Sequence, residues 1–311
     1  MRGFFCRIMT MLSGIHFLLT YKCTFECDHC FLYCSPRSRG TFTIDQVQQV
    51  LDEAREIGTV DWIYFEGGEP LLFFNLLQES IRRASEAGFR VGIVSNAYPS
   101  TSPDDAELWL RPLAEAGLSF INVSNDVYHF GDARENPATI AVEAAQRLGI
   151  DIEPIRIEPP CVVQTEASAE GRGQPVTGGD VIFRGRAADL LTGGLPLKSH
   201  ENFTECPFED LKNPSRVHVD AFGHVQVCQG ISIGNLWETP LSELMANYRA
   251  EQHPVCGPLL RGGPSALAAE TGTESDPAYV SECHMCYSLR KSLIGRYPHY
   301  LAPAQVYGLS D

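Results

Sequence analysis

The chain has 311 residues, 44% of them hydrophobic and 20% charged, which excludes wholesale disorder, a collagen-like repeat and a coiled-coil rod and suits one large domain or two ordinary ones. Its 24 basic against 39 acidic side chains give a net charge of −15, a field that disfavours nucleic acid as a partner. No run of 18 apolar residues occurs, so neither a membrane span nor a membrane partner is expected.

The N-terminal stretch MRGFFCRIMTMLSG lacks a continuous apolar core and a small-residue cleavage site, and reads as mature sequence. An apolar run over residues 15–21 supplies the first strand. Ile44, Val47, Val50, Leu51, Ala54 and Ile57 then recur at helical spacing, with Thr43 and Gln46 placed as a capping box. Leu77, Ile81 and Ala84 mark a second helix, and Pro112 should kink or split a third. These helical stretches end at Gly58, Gly88, Gly117 and Gly149, spaced 30, 29 and 32 residues apart. Each glycine suits a left-handed helix stop and precedes a strand-like run, at 61–65, 89–94, 118–123 and 150–157. Strands alternating with helices at this period predict an α/β fold with a parallel sheet and right-handed crossovers, either an open doubly wound sheet or a full or partial barrel. Chemistry in such a fold sits at the carboxyl ends of the strands.

After Pro159 the regularity fades. Residues 161–180 are polar and glycine-rich and read as a long loop. Residues 181–183 look like a sixth strand, ending in Arg184-Gly185-Arg186, and Gly193-Gly194 marks a domain boundary, which gives domains 1–194 and 195–311. Beyond it, short strands are expected near 218–219 and 225–227, then one helix near 241–250, then loops. His218 and His224 flank the expected hairpin and read as structural, and the tail over 297–307 should pack over the sheet or a metal site.

Eleven cysteines are too sparse for a disulfide scaffold, and an odd number cannot pair completely. Four fall from Cys23 to Cys34 and five from Cys206 onward, which points to two metal sites in a reducing compartment, the cytoplasm. Cys23-x3-Cys27-x2-Cys30, directly after the first strand, can hold three irons of a 4Fe–4S cubane and leave the fourth open to a substrate or cofactor. Zinc, with Cys34 or His29 as fourth ligand, is the alternative on spacing alone.

Gly67-Gly68-Glu69-Pro70 follows the second strand at the same end of the sheet. This pair of motifs resembles the radical S-adenosylmethionine (SAM) superfamily over most of residues 15–190. The resemblance implies a partial (β/α)6 TIM-type barrel in which Cys23, Cys27 and Cys30 ligate the catalytic cluster and SAM chelates its open iron. Gly67, Gly68, Glu69 and Pro70 then form the turn that receives the methionyl amine. His29 stands where members of the family usually carry an aromatic near the adenine. Ser95, Asn96, Ser124 and Asp126 match places where members touch the ribose or carboxylate of SAM, although polar strand ends read equally well as caps. Arg184 and Arg186 are candidates to pair with the SAM carboxylate, or an ordinary solvated charge pair. By the same resemblance a one-electron reductant such as flavodoxin or ferredoxin is a partner. The family's chemistry is reductive cleavage of SAM to a 5′-deoxyadenosyl radical that takes a hydrogen from the substrate.

Cys206, then Gly223-x4-Cys228, then Cys283-x2-Cys286 resembles the auxiliary-cluster domains called SPASM and twitch. The shorter twitch form fits the cysteine count and implies a second, fully ligated 4Fe–4S cluster. Zinc, and Cys256 in place of one ligand, are the alternatives. Cys6, Cys34, Cys161 and Cys256 remain as spares. The CDHC…CSP loop around Cys34 resembles that of radical SAM peptide epimerases, in which a cysteine returns a hydrogen atom to the substrate. Their donor directly follows the auxiliary cysteine that corresponds to Cys228, and here that position is Gln229. Cys34 and Cys161 are the remaining candidates. Epimerisation or crosslinking of a ribosomally made peptide stands beside twitch-type dehydrogenation of a small molecule and a non-catalytic iron–sulfur scaffold or redox sensor. His129, with Asp132 nearby, is a candidate general base or a hydrogen-bonded loop histidine.

Overall fold

The computed structural model describes residues 12–165 and 175–309. Cys6, the N-terminal stretch and the middle of the 161–180 segment lie outside them. The first half runs β1 (Gly14–Thr20), α1 (Ile44–Ile57), β2 (Trp62–Gly67), α2 (Phe74–Glu86), β3 (Arg90–Ser95), α3 (Pro103–Glu115), β4 (Phe120–Ser124), α4 (Val127–Phe130), α5 (Pro137–Leu148) and β5 (Ile152–Ile155). Local chemistry sets the ends of these elements. The Thr43 hydroxyl accepts from Gln46 N at 3.3 Å, and the Gln46 side chain accepts from Thr43 N at 2.8 Å, closing the capping box of α1. Gly58, Gly88, Gly117 and Gly149 all take positive φ after their helices. Pro112 does not split α3, which continues to Glu115. Leu108, whose carbonyl loses its helical partner to the proline, is 75% exposed, so water can take that partner's place.

The second half adds β6 (Cys161–Gln164), β7 (Pro175–Gly178), α6 (Arg186–Leu190), β8 (Lys198–Ser199), β9 (Arg216–Asp220), β10 (His224–Cys228), β11 (Ile231–Asn235), α7 (Leu241–Asn247), α8 (Cys256–Thr271), β12 (Ala278–Tyr279) and α9 (Glu282–Leu293). Eight strands form one sheet in the order β11-β10-β9-β1-β2-β3-β4-β5, parallel from β9 to β5. The α/β partial barrel is thus open, since β11 and β5 are its two edges. Its sixth parallel strand is β9, in register with β1 from Gly14↔Arg216 to Leu18↔Asp220, and not residues 181–183, which form no strand. Arg216–Asp220 alternates apolar and polar residues and so offers a strand face, which a three-residue apolar run cannot do. The expected boundary at residue 194 falls between α6 and β8, and strands beyond it continue the same sheet.

Two further expectations are corrected. The 161–180 segment contains the antiparallel pair β6–β7 rather than loop alone. The chain past residue 250 holds two helices, α8 and α9. The Gly262-Gly263-Pro264 step in α8 has non-helical backbone at both glycines, a kink that hides the helical period in the sequence.

One face of the sheet, with Ile15, Phe17, Ile63, Phe65, Val91, Ile93, Ile121 and Val123 all fully buried, shares the core with Val47, Leu51, Leu77 and Leu110 of the helices. By strand alternation His16, Trp62, Tyr64, Glu66, Val94, Ser124 and His218 lie on the opposite, inner face. No helix among the described residues is long and apolar enough to cross a membrane.

Candidate active site and second cysteine site

Cys23, Cys27, Cys30 and Cys34 line one cavity together with His29, Gly67, Gly68, Ser95, Asn96, Ser124 and His129. These residues come from the loop after β1 and from the carboxyl ends of β2, β3 and β4. The glycine turn is pressed directly onto the start of the cysteine loop. A Cβ on Gly67, whose φ is +121°, would lie 2.4 Å from Thr20 O, and one on Gly68 would lie 2.1 Å from Lys22 O. Glycine is therefore required at both positions. Gly68 N donates to Thr20 O at 2.6 Å and Glu69 N to Lys22 O at 2.9 Å.

Glu69 is fully buried, and Gly67 and Gly68 line the cavity where it does not. Its carboxylate accepts from Leu71 N at 2.9 Å, Ser95 Oγ at 2.8 Å and Asn96 N at 2.8 Å. Burial pushes its pKa up to about 7 against these hydrogen bonds, which favour the charged form. Glu69 and Ser95 thus tie the end of β2 to the end of β3, and Pro70 starts the short helix Pro70–Phe73 that leaves the turn. The Asn96 amide reaches back to Cys23 Sγ at 3.8 Å and Thr24 Oγ1 at 2.9 Å.

The thiols are unequal. A hydrogen bond from Cys34 outweighs burial and lowers Cys30 to about 6, while Cys34 itself is raised. Burial pushes Cys23 up to about 11 and Cys27 higher still. Arg186, 5% exposed, anchors the loop. Its backbone N–H donates to Cys30 O at 2.9 Å, and its guanidinium donates to Cys27 O at 2.6 Å and Cys34 O at 2.9 Å. The arginine expected at the SAM carboxylate is spent on the backbone of the cysteine loop.

His29 stacks on Tyr128 with ring centroids 4.4 Å apart, and burial lowers its pKa to about 4. His129 bonds Asp126 at 2.8 Å, rather than Asp132, which is exposed. His29 Nδ1 and Asp126 Oδ2 are buried with no hydrogen-bond partner. Four thiols in one cavity, three of them in the Cys23-x3-Cys27-x2-Cys30 spacing, donors aimed at two of the sulfurs, and two orphaned polar atoms at its edge fit a three-thiolate 4Fe–4S cluster with a polar cofactor beside it. Two non-glycine residues with left-handed backbone, Tyr33 and Ala97, flank this cavity, as strained residues do at functional sites. Cys161 is exposed on β6 and does not line it.

A second cavity brings together Cys206, Cys228, Cys283 and Cys286 with Arg184, Glu209 and Arg290. Cys283 and Cys286 share one face of α9 by their three-residue spacing, and Cys228 ends β10. Arg184 donates to Cys228 Sγ at 3.4 Å, and Arg290, 2% exposed, donates to Gln229 O at 2.8 Å. Two buried guanidiniums beside four thiols favour thiolates and an anionic metal centre. Cys256 does not line this cavity and is hydrogen-bonded to Tyr248. Arg184, a candidate for the SAM carboxylate, stands instead at Cys228, and Arg290 and the inner-face residues His16 and Glu66 have no local motif to single them out in the sequence.

Fold and site together define an α/β protein with a cysteine-lined cavity at the carboxyl ends of its strands, whose Cys23, Cys27 and Cys30 could hold a metal centre. Residues 17–130 of the chain match the family model described as Radical SAM superfamily. Members hold a 4Fe–4S cluster and SAM. A protein of Bacillus subtilis (strain 168) named for peptide biosynthesis, YydG, is 23% identical over 111 residues, 36% of this chain and 35% of its own length. The tungsten-containing aldehyde ferredoxin oxidoreductase cofactor-modifying protein of Pyrococcus furiosus is 28% identical over 117 residues, 37% of this chain and 31% of its own length. The matches thus span about a third of each relative. The crystal structure of BtrN in complex with AdoMet and 2-DOIA superposes with a TM-score of 0.49 at 16% identity, covering 76% of this chain and 82% of that one.

Proposed function

We propose that the chain is a radical SAM enzyme that dehydrogenates its substrate, a peptide or a small molecule, with a second iron–sulfur cluster on Cys206, Cys228, Cys283 and Cys286 as electron acceptor. The observation that carries this reading is the shared cavity of Cys23, Cys27 and Cys30 with the Gly67-Gly68 turn, in a chain whose second cysteine set converges on its own cavity. When bound, the first cluster and SAM supply the one-electron cleavage and the hydrogen abstraction. The chain's own residues fix the geometry. Arg186 holds three carbonyls of the cysteine loop, Glu69 ties the glycine turn to β3, and Asn96 and Cys34 donate toward the sulfurs of Cys23 and Cys30.

The placement of the spare cysteines favours oxidation over epimerisation. Gln229 follows Cys228, the Cys34 thiol is spent on Cys30, and Cys161 is exposed outside the cavity. A substrate radical with no hydrogen donor beside it is resolved by losing an electron. The name of the Bacillus relative supports a peptide substrate. The test is the mass of the product formed in deuterated buffer. Dehydrogenation gives a product two hydrogens lighter with no solvent deuterium, whereas incorporation of one solvent deuterium at an otherwise unchanged mass would establish epimerisation. A non-catalytic scaffold would form no product.

A further inference from the structure

We infer that His16, Glu66 and His218 form a binding site for a first-row divalent cation of the zinc type on the inner face of the sheet. Strand register creates the site. His16 of β1 lies directly opposite His218 of β9, and Glu66 of β2 is two residues beyond Tyr64, the partner of His16 on the other side. The period of two puts all three side chains on one face of three adjacent strands. Their ligand atoms lie within 4.8 Å of one another.

The distances have the dimensions of a coordination shell. Glu66 Oε1 is 3.2 Å from His16 Nδ1 and 3.3 Å from His218 Nε2. Ligands at zinc–nitrogen and zinc–oxygen distances in a tetrahedral shell stand about 3.3 Å apart, whereas N–H···O hydrogen bonds centre near about 2.9–3.0 Å. Both imidazoles converge on the same carboxylate oxygen, which gathers all three ligand atoms around one point. A second observation points the same way. Gln229, 4% exposed, places its amide 3.4 Å from His218 Nε2 and leaves its Oε1 buried without a partner. Turning that amide over, which exchanges its nitrogen and oxygen in place, brings the unpartnered oxygen toward the ion as a fourth donor. Two imidazoles, a carboxylate and a weak fourth position match the His2Glu sets that zinc accepts while keeping one position open. Glu66 also lines the cavity of Cys23, Cys27 and Cys30, so the ion would sit on its floor.

The test uses the full chain, reconstituted anaerobically with iron and sulfide so that the thiolates are occupied, stripped on a chelating resin and dialysed against zinc ion. Elemental analysis is expected to give one zinc per chain more than in the His16→Ala/His218→Ala variant at equal iron. Equal zinc in the two proteins, or none in the wild type, overturns the inference. X-ray absorption of zinc bound to the wild type decides the matter even if the variant does not fold. A nitrogen and oxygen shell at about 2.0–2.1 Å with imidazole scattering is expected, and a sulfur shell at about 2.3 Å overturns the assignment. Zinc content reports nothing on SAM cleavage, so this inference and the radical SAM reading fail separately.

Discussion

Arg184 and Arg186 are two residues apart and serve different cysteine sites: Arg184 donates to Cys228 Sγ at 3.4 Å, and Arg186 to the Cys27 carbonyl at 2.6 Å. Between them Gly185 is pressed against the cysteine loop, where a Cβ would lie 2.5 Å from Phe31 Cα. The guanidinium of Arg184 also lies over the Phe31 ring at 5.3 Å. One tripeptide thus touches both cysteine sites, Arg184 at Cys228 and Arg186 at the loop of Cys27.

Arg186→Ala should empty the first site while sparing the second. It removes two hydrogen bonds made by a charged, buried group, each worth about 1.5–3 kcal/mol. Iron counted after anaerobic reconstitution should fall from about eight per chain to about four. An unchanged count would show that the loop holds without this anchor.

The ligand set of the second site is separable by the same count. Alanine at Cys206, Cys228, Cys283 or Cys286 should remove about four irons. Cys256→Ala, outside that cavity, should remove none. Iron loss from Cys256→Ala alone would move the ligand set.

Cys34→Ala removes a donor to the sulfur of Cys30. Hydrogen bonds to cluster sulfurs raise the reduction potential, so the potential of the first cluster, read by redox titration, should fall. A potential equal to that of the wild type would place the Cys34 thiol elsewhere in the loaded protein.

Asp220 links β9 to β1 through Tyr21, whose hydroxyl donates to it at 3.0 Å. Burial raises its carboxyl to about 7 from 3.8, against hydrogen bonds from His224, Tyr21 and Phe222. Between those values the folded chain keeps a proton that the unfolded chain has released. This group's contribution is therefore most favourable below 3.8 and is lost as pH rises through 7. At 1.36 kcal/mol per pKa unit the loss is on the order of 4 kcal/mol. Unfolding midpoints between about pH 5.5 and 8 should fall more steeply with pH in the wild type than in Asp220→Asn. Parallel curves would assign the pH dependence to other groups.

The strand–helix repeat was legible because its signals are local: the capping box at Thr43, the apolar stripe of α1 and the glycine stops each lie within one helix. The sixth parallel strand was not, because β9 pairs with β1 across some two hundred residues and no local pattern encodes that partner. The Gly262-Gly263-Pro264 kink concealed α8 for the opposite reason, a local break inside a longer element. Thiol chemistry was readable from spacing, whereas the use of Arg186 was not. Its partners are backbone carbonyls, which leave no trace in residue identity. His16, Glu66 and His218 meet only through strand register, so each looked like an ordinary strand residue.

Cys23, Cys27 and Cys30 are proposed to hold the cluster that cleaves SAM. The most direct measurement is 5′-deoxyadenosine released when the anaerobically reconstituted, fully iron-loaded chain is reduced in the presence of SAM, compared with Cys27→Ala. The wild type should release 5′-deoxyadenosine and the variant none. No release from the loaded, reduced wild type, or equal release from both proteins, would contradict this assignment.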